Sequence, residues 1–359
     1  MKTNDPKYIQ VERLIEEAVR TLGPGGKMPT VREMKKKFGV SQSTLDHALQ
    51  KLESRRLITR RQSSGIYADS AVRQRRHSIG VIFPDFSERY HPLLLKGIER
   101  ELALGDYKTI LASSPEALEK EIALIDSVTD SVDGLIIVSR TVSSVDEKYV
   151  SCLVGLKSAR RIPFVFIDIP VPCVESCYVG FNQRGAFRDA IRLVTSGKRM
   201  GQFLFVGLQE SIVTAERFIG FKEALLEGAA GALRGKVRLI PMDLDLGAVD
   251  LPIKRDAEGG TPVVFVASPL LLPKVMAALR AKGFEVPKDA VVVSVVEEDY
   301  KNYILDPVVA IVKPSGDLGA LAARTMLGAI AGKVDAAPTR LDLRIDVPEM
   351  ARKALGVKM

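Results

Sequence analysis

The chain has 359 residues, 46% of them hydrophobic, which suffices for more than one buried core and excludes a wholly disordered protein. It contains no run of about 18 apolar residues, so we expect no membrane span. The first residues lack the apolar core of a secretory signal, which predicts a cytoplasmic protein. Cys152, Cys173 and Cys177 do not have the spacing of a zinc site, and we expect reduced thiols, no metal and no cofactor.

The net charge of +8 is concentrated near the N-terminus. Residues 1–76 contain 17 Lys and Arg against 8 Asp and Glu, a net charge of +9, whereas the rest contains 35 against 36, a net charge of −1. A basic module on a near-neutral body is typical of a nucleic-acid-binding protein with a separate second function. Charge alone leaves open the alternative of a solvated basic face.

Three amphipathic helices are predicted at the start of the chain. Apolar residues recur at helical spacing from Val11 to Leu22, where a Gly-Pro-rich stretch ends the first helix. A second helix opens at Thr30, which can form a capping box with Glu33, and Ser41 can cap a third. The short turn between the second and third helices is typical of a helix-turn-helix, in which the third helix would read DNA.

A small hairpin follows the helices. Residues 57–61 and 66–68 are strand-like and flank a Gln-Ser-Ser-Gly turn, which predicts a wing with two arginines at its base. Residues 69–77 have no periodicity and carry three arginines, which indicates a linker. We therefore divide the chain into a winged-helix domain (1–68), a linker (69–77) and a larger body (78–359).

Residues 8–68 resemble the winged-helix domain of the GntR family of regulators. The matching pieces are Pro29-Thr30-x-Arg32-Glu33, Val40-Ser41-x-Ser43-Thr44, Ala48-Leu49-x-x-Leu52-Glu53, and Leu57-Ile58-x-Arg60-Arg61 with Gly65. The resemblance implies that the start of the second helix, the start of the third and the wing contact an operator in double-stranded DNA. The residues expected there are Thr30, Arg32, Ser41, Gln42, Ser43, Thr44, His47, Arg60, Arg61 and Gly65.

The chain departs from that family at the reading helix. The family usually has arginine at the position of Gln42 and basic residues at those of Asp46 and His47. A winged helix that binds protein rather than DNA is the alternative reading.

From Ser78 onward, short apolar runs alternate with helical patterns. The runs are Ile79–Phe83, Thr109–Ala112, Leu135–Val138, Phe164–Ile167, Phe203–Val206, Val237–Ile240, Val263–Ala267 and Val291–Val296. Continuous apolar strands separated by helices predict parallel sheets covered on both faces. Two series of four strands predict two such sheets, hence an α/β body with two lobes.

In open α/β sheets the ligand crevice lies beyond the carboxyl ends of the strands. The candidate positions are therefore residues 85–90, Ser139, Asp168, residues 209–217, Ser268 and Glu297. Asp85, Ser87 and Tyr90 are the polar candidates of the first of these segments.

The body resembles the sensor domain of LacI-family regulators, which is related to periplasmic sugar-binding proteins. Matching segments include Ile79-Gly80-Val81-Ile82-x-Pro84-Asp85-x-Ser87, Val132-Asp133-Gly134-Leu135-Ile136-Ile137, Val179-Gly180-x-Asn182-x-x-Gly185-Ala186 and Arg217-x-x-Gly220-Phe221. A GntR-like reader joined to such a sensor resembles regulators of the arabinose-repressor type. The resemblance implies a homodimeric repressor whose effector, a sugar or sugar derivative, binds between the lobes, with Arg217 and Asp168 as ligand contacts.

Other ligand positions of that family have changed. Val296 and Glu297 stand where two acids are usual, Ser268 replaces an asparagine, and Lys313 stands where glutamine is common. If the crevice binds a small molecule, we expect Arg217 and Lys313 to project towards it from opposite lobes. An acidic ligand such as a sugar acid or sugar phosphate would then compensate the two cations, although Asp168 and Glu297 could do so internally. A sensor that has lost small-molecule binding is also possible.

An enzyme is the rival class. The sequence has no dinucleotide fingerprint, phosphate-binding loop or metal cluster, and of its three histidines only His91 lies near the predicted crevice. We therefore expect a regulator with no catalytic residues.

Overall fold

A computed structural model describes residues 6–61, 64–69, 76–84, 89–114, 118–138, 147–155, 162–169, 176–197, 200–208, 211–227, 237–242, 250–255, 260–333 and 338–357. No helix in these ranges is long and apolar enough to cross a membrane. Of the site candidates, Asp85, Ser87 and Ser139 lie outside the described residues, as does most of the predicted linker.

The N-terminal part contains the predicted helices and hairpin. They are α1 (Lys7–Leu22), α2 (Val31–Phe38), α3 (Gln42–Ser54), β1 (Ile58–Arg61) and β2 (Gly65–Ala68). The two strands pair antiparallel, with Arg61 opposite Gly65. A core of its own, built from Ile15, Met34, Leu45 and Leu49 among others, holds the helices together. The predicted winged helix-turn-helix is confirmed.

The first lobe of the body is a parallel sheet with helices on both faces. Its strands are β3 (Ser78–Phe83), β4 (Lys108–Ser113), β5 (Gly134–Val138), β6 (Phe164–Ile167), β7 (Cys177–Phe181) and β13 (Thr339–Leu341). They run in the order β13-β7-β6-β5-β3-β4. Its helices are α4 (Tyr90–Leu104), α5 (Leu118–Thr129), α6 (Glu147–Gly155) and α10 (Ser315–Ile330).

The second lobe repeats this arrangement. Its strands are β8 (Met200–Leu208), β9 (Val237–Met242), β10 (Thr261–Val266), β11 (Val291–Glu297), β12 (Val309–Lys313) and β14 (Arg344–Asp346). The sheet that they form has the order β14-β12-β11-β10-β8-β9, and among these strands only β14 is antiparallel to its neighbour. The helices are α7 (Gln183–Thr195), α8 (Ile212–Glu227), α9 (Leu272–Ala281) and α11 (Glu349–Leu355).

Among the described elements the chain passes between the lobes three times. It crosses from β7 to α7, from β12 to α10, and from β13 to β14. After the second crossing α10 packs closely on α4, where Gly97 and Gly319 allow the two backbones to touch. The lobes are therefore joined by three short segments, and a change in their relative position has to bend all three.

The predicted number of strands was wrong. Each sheet has six strands rather than four, because β7, β12, β13 and β14 were missed. These strands lie next to the crossings, where the alternation of strand and helix on which the prediction relied breaks down.

Candidate functional site

The residues expected at DNA lie at the start of α2, at the start of α3 and in the wing. All are solvent-exposed except Thr44, which is half-buried. Thr30 accepts a hydrogen bond from the Glu33 amide, and the Glu33 carboxylate accepts one from the Thr30 amide at 2.7 Å, so the predicted capping box is present. The amide and the hydroxyl of Thr30 both donate to the Glu33 carboxylate, and these two hydrogen bonds lower the pKa of Glu33.

The first turn of α3 is held by short polar side chains. Ser41 Oγ accepts a hydrogen bond from the Thr44 amide at 3.2 Å, which caps the helix, and it also contacts the Ser43 hydroxyl at 3.0 Å. Gln42 Nε2 donates to the Asp46 carboxylate one turn further on, at 2.9 Å. The exposed end of the helix therefore presents fixed hydroxyl and amide groups, together with backbone amides that favour an anion.

Several basic side chains of this domain are already paired. Arg60 lies 3.2 Å from the Glu53 carboxylate, whereas Arg61 stacks on the ring of Tyr67. Arg55, at the far end of α3, contacts both Glu12 and Glu16 of α1. The positive charge counted in the sequence is thus partly neutralised away from the start of α3.

In the body, Tyr90 and Asp168 meet at the carboxyl ends of the strands of the first lobe. Asp168 directly follows β6 and has a left-handed backbone with φ of 69°. The Tyr90 hydroxyl donates to Asp168 Oδ2, and the Tyr178 hydroxyl donates to the Asp168 carbonyl oxygen at 2.8 Å. Burial raises the pKa of Asp168, and the Tyr90 hydrogen bond and the positive charges of Lys313 and Arg217 oppose that rise.

Lys313 and Glu297 form a buried ion pair in the second lobe. They end two adjacent parallel strands and stand opposite each other in the register, which brings Lys313 Nζ within 2.6 Å of Glu297 Oε1. Their side chains are 7% and 3% exposed. Ser315, the first residue of α10, donates to Glu297 Oε2 at 2.6 Å. The Lys313 ammonium also lies 4.2 Å from the centre of the Tyr90 ring, so it bridges the two lobes.

Arg217 is a buried side chain in the second turn of α8. Its Nε donates to Gln183 Oε1 at 2.8 Å, and its guanidinium also donates to the Ala267 carbonyl oxygen. Ser268, next to Ala267, is buried as well. The prediction that Arg217 and Lys313 approach from opposite lobes was wrong, because α8 and β12 belong to the same lobe.

A second contact between the lobes was not foreseen. Arg89, just before α4, donates to the Asp299 carboxylate at 2.8 Å and stacks on the ring of Tyr303. Gln183 and Ser315 were also missed. Gln183 follows Asn182 in a segment quoted for the sensor resemblance, so its position could have been examined. Arg89 falls in the candidate segment 85–90 without having been singled out, and nothing in the sequence marks Asp299.

Family comparisons match the two parts of the chain separately. Residues 7–68 match the model described as "Bacterial regulatory proteins, gntR family", and residues 195–348 match "Periplasmic binding protein-like domain". The chain joins a GntR-type DNA-binding domain to a periplasmic-binding-protein-like domain. This hybrid architecture is the one that the sequence resemblances implied.

Comparisons over longer stretches of the chain find transcription regulators. Catabolite control protein A of Priestia megaterium is 25% identical over 69% of this chain and 74% of its own. The arabinose metabolism transcriptional repressor of Halalkalibacterium halodurans is 25% identical over 56% of this chain and 55% of its own. A solved structure of the transcriptional regulator CelR in complex with cellobiose has a TM-score of 0.60 at 21% identity, over 86% of this chain and 90% of that one. The predicted fold class and the class of DNA-binding regulator are confirmed.

Proposed function

We propose that this hybrid protein is a cytoplasmic, homodimeric transcription repressor whose operator affinity is set by a sugar or sugar derivative bound between the sensor lobes. Residues 1–68 bind the operator, residues 69–77 link, and residues 78–359 sense and dimerise. The protein has no catalytic role in this scheme. The relatives support the sugar class, since one regulates arabinose metabolism and another structure holds cellobiose.

The observation that carries the proposal is a cluster of buried and half-buried polar groups where the lobes meet. Asp168 and Tyr90 come from the first lobe, and Lys313, Glu297 and Arg217 from the second. Burying so many polar groups in a purely structural junction would cost free energy compared with apolar packing. Carboxylate, hydroxyl and guanidinium groups are the partners that sugar hydroxyls require.

Coupling to DNA follows from the connections between the lobes. A ligand that binds one relative position of the lobes better than another shifts the population towards it. In a dimer that shift changes the distance between two winged helices, and each of them reads one half-site. The effect on operator affinity cannot exceed the difference in ligand affinity for the two states.

The positions of the two cations do not require an acidic ligand. Lys313 and Arg217 lie in one lobe rather than facing each other across the crevice, and Lys313 is paired with Glu297. We keep the wider class of sugars and sugar derivatives. Thermal-shift measurements with neutral sugars, uronates and sugar phosphates distinguish these classes, and Arg217→Ala should abolish the shift that an effector produces.

The function is tested by selecting genomic DNA fragments with the full-length protein and then titrating a recovered fragment with and without the effector found by thermal shift. We expect sequence-selective binding that the effector changes at least several-fold. Failure to bind any fragment above random DNA would contradict the proposal. Light scattering should show a dimer, and a monomer at tens of micromolar would contradict that part.

A sensor without a ligand is the second candidate. It is favoured by the internal pairing of Lys313 with Glu297 and of Tyr90 with Asp168, which gives each of these groups a partner within the protein. Under this alternative no compound in the panel raises the melting temperature, and DNA binding is constitutive.

A further inference from the structure

We propose that Gln42, oriented by Asp46, reads an adenine in each half-site of the operator. This inference rests on the proposed function, because it assumes that α3 enters the major groove. Gln42 is the first residue of α3 and is exposed. In a helix-turn-helix the N-terminal residues of the second helix are those that contact base edges.

The hydrogen bond to Asp46 fixes which way the Gln42 amide points. A carboxylate only accepts hydrogen bonds, so the amide nitrogen must face Asp46 and the orientation is not ambiguous. One N–H of Gln42 is used in this bond. The second N–H and the carbonyl oxygen remain for a partner outside the protein.

Adenine is the base that satisfies both remaining groups. Its N7 accepts a hydrogen bond and its N6 amino group donates one, which matches one N–H and one carbonyl oxygen side by side. Guanine presents two acceptors, so its O6 would face the carbonyl oxygen of Gln42. Cytosine and thymine each satisfy only one of the two groups.

Asp46 is otherwise unfavourable where it stands. A carboxylate on the face turned to DNA repels the phosphates and lowers affinity for every sequence. Its hydrogen bond with Gln42 compensates for that repulsion, because it restricts the Gln42 side chain before DNA binds and so lowers the entropy lost on binding. Asp46 is thus a positioning residue. It lowers the affinity for all DNA sequences and raises the selectivity at one base pair.

The test uses the full-length protein with a randomised operator library, followed by titration of the selected site. The wild type should select an adenine in each half-site, and replacing it with 7-deazaadenine, which lacks the N7 acceptor, should weaken binding about five- to hundredfold. Gln42→Ala should lose the preference at that base pair only and become indifferent to 7-deazaadenine. Gln50→Ala, the same change at an exposed position later in α3, is the matched control and should behave as wild type.

Asp46→Ala separates orientation from contact. It should reduce the preference for adenine at that position while strengthening binding to random DNA, which a merely structural role would not do. The inference is overturned if Gln42→Ala keeps every base preference, or if 7-deazaadenine is tolerated at each half-site adenine. If the wild type selects no DNA sequence at all, the proposed function fails and the inference fails with it.

Discussion

The half-buried carboxyl of Asp168, which accepts a hydrogen bond from Tyr90, makes a contribution to stability that depends on pH. Burial raises its pKa above the ordinary value of 3.8, so the folded state holds the proton where the unfolded state has lost it. Stability from this group therefore falls as pH rises from about 4 through the folded-state pKa. Asp168→Asn removes that loss, and asparagine tolerates the left-handed backbone. We expect the free energy of unfolding of the variant, relative to wild type, to increase with pH.

Asp289→Asn is the control of opposite sign. The backbone amide of Glu285 donates to Asp289, which lowers the pKa of that carboxyl. The ionised Asp289 carboxylate stabilises the folded protein at every pH above the unfolded-state pKa of this group, and that stabilisation is lost as the pH falls through the folded-state pKa. The variant should be less stable than wild type at neutral pH, and the difference should shrink in acid. Parallel pH dependence of the two variants, measured by urea unfolding, would contradict this account.

The ion pair of Lys313 and Glu297 is the second test at the level of residues. Lys313→Met leaves a carboxylate buried without its cation, and this typically costs about 3–5 kcal/mol of unfolding free energy. Adding Glu297→Gln should restore most of that loss, because the amide is neutral and still accepts from Ser315. Lys353→Met, which breaks the exposed pair with Glu349, should leave the urea midpoint unchanged. If the single and the double variant lose the same unfolding free energy, the loss does not come from the unpaired charge of Glu297.

At the level of elements, the cap of α3 has a role separable from DNA contact. Ser41→Ala removes the acceptor for the Thr44 amide and should cost about 1 kcal/mol of helix stability, seen as faster hydrogen exchange of the α3 amides. Ser41→Asp keeps an acceptor and should exchange like wild type, yet its charge should weaken DNA binding. If the α3 amides of Ser41→Asp exchange as fast as those of Ser41→Ala, the Ser41 side chain does not cap the helix.

Elements were predictable where a local rule decides them. The capping box at Thr30 and the cap at Ser41 depend on residues three apart, and both were found from sequence. Strands β7 and β12 are largely apolar, like the strands that were predicted. They were missed because β7 follows β6 with no predicted helix between them, and β12 follows a short irregular segment. Their place in the sheets is decided by the crossings between lobes, which are distant contacts.

For the candidate site, the sequence predicted which residues take part but not which of them pair. Tyr90, Asp168, Arg217, Glu297 and Lys313 were named from strand ends and resemblance, and the structure brings them to the lobe junction. Which of them pair was not predictable. The match of Glu297 with Lys313 depends on the register of β11 and β12, and the contact of Arg89 with Asp299 depends on how the lobes meet.

For the whole molecule, the account separates DNA binding from sensing along the chain. The N-terminal part has its own core and most of the positive charge, whereas the two lobes have separate cores and a near-neutral balance. DNA affinity drawn from phosphate contacts should fall linearly with the logarithm of salt concentration. Arg32→Ala, which removes one exposed cation at the start of α2, should weaken binding to all sequences alike.

The most direct test titrates one labelled operator, recovered by genomic selection, with the full-length chain and with residues 78–359. The account predicts that the full-length protein binds with a steep salt dependence, and that the fragment binds at least about a hundredfold more weakly at every salt concentration. Circular dichroism of the fragment confirms that its sheets are intact. Undiminished binding by the folded fragment would contradict the assignment of DNA recognition to the winged helix.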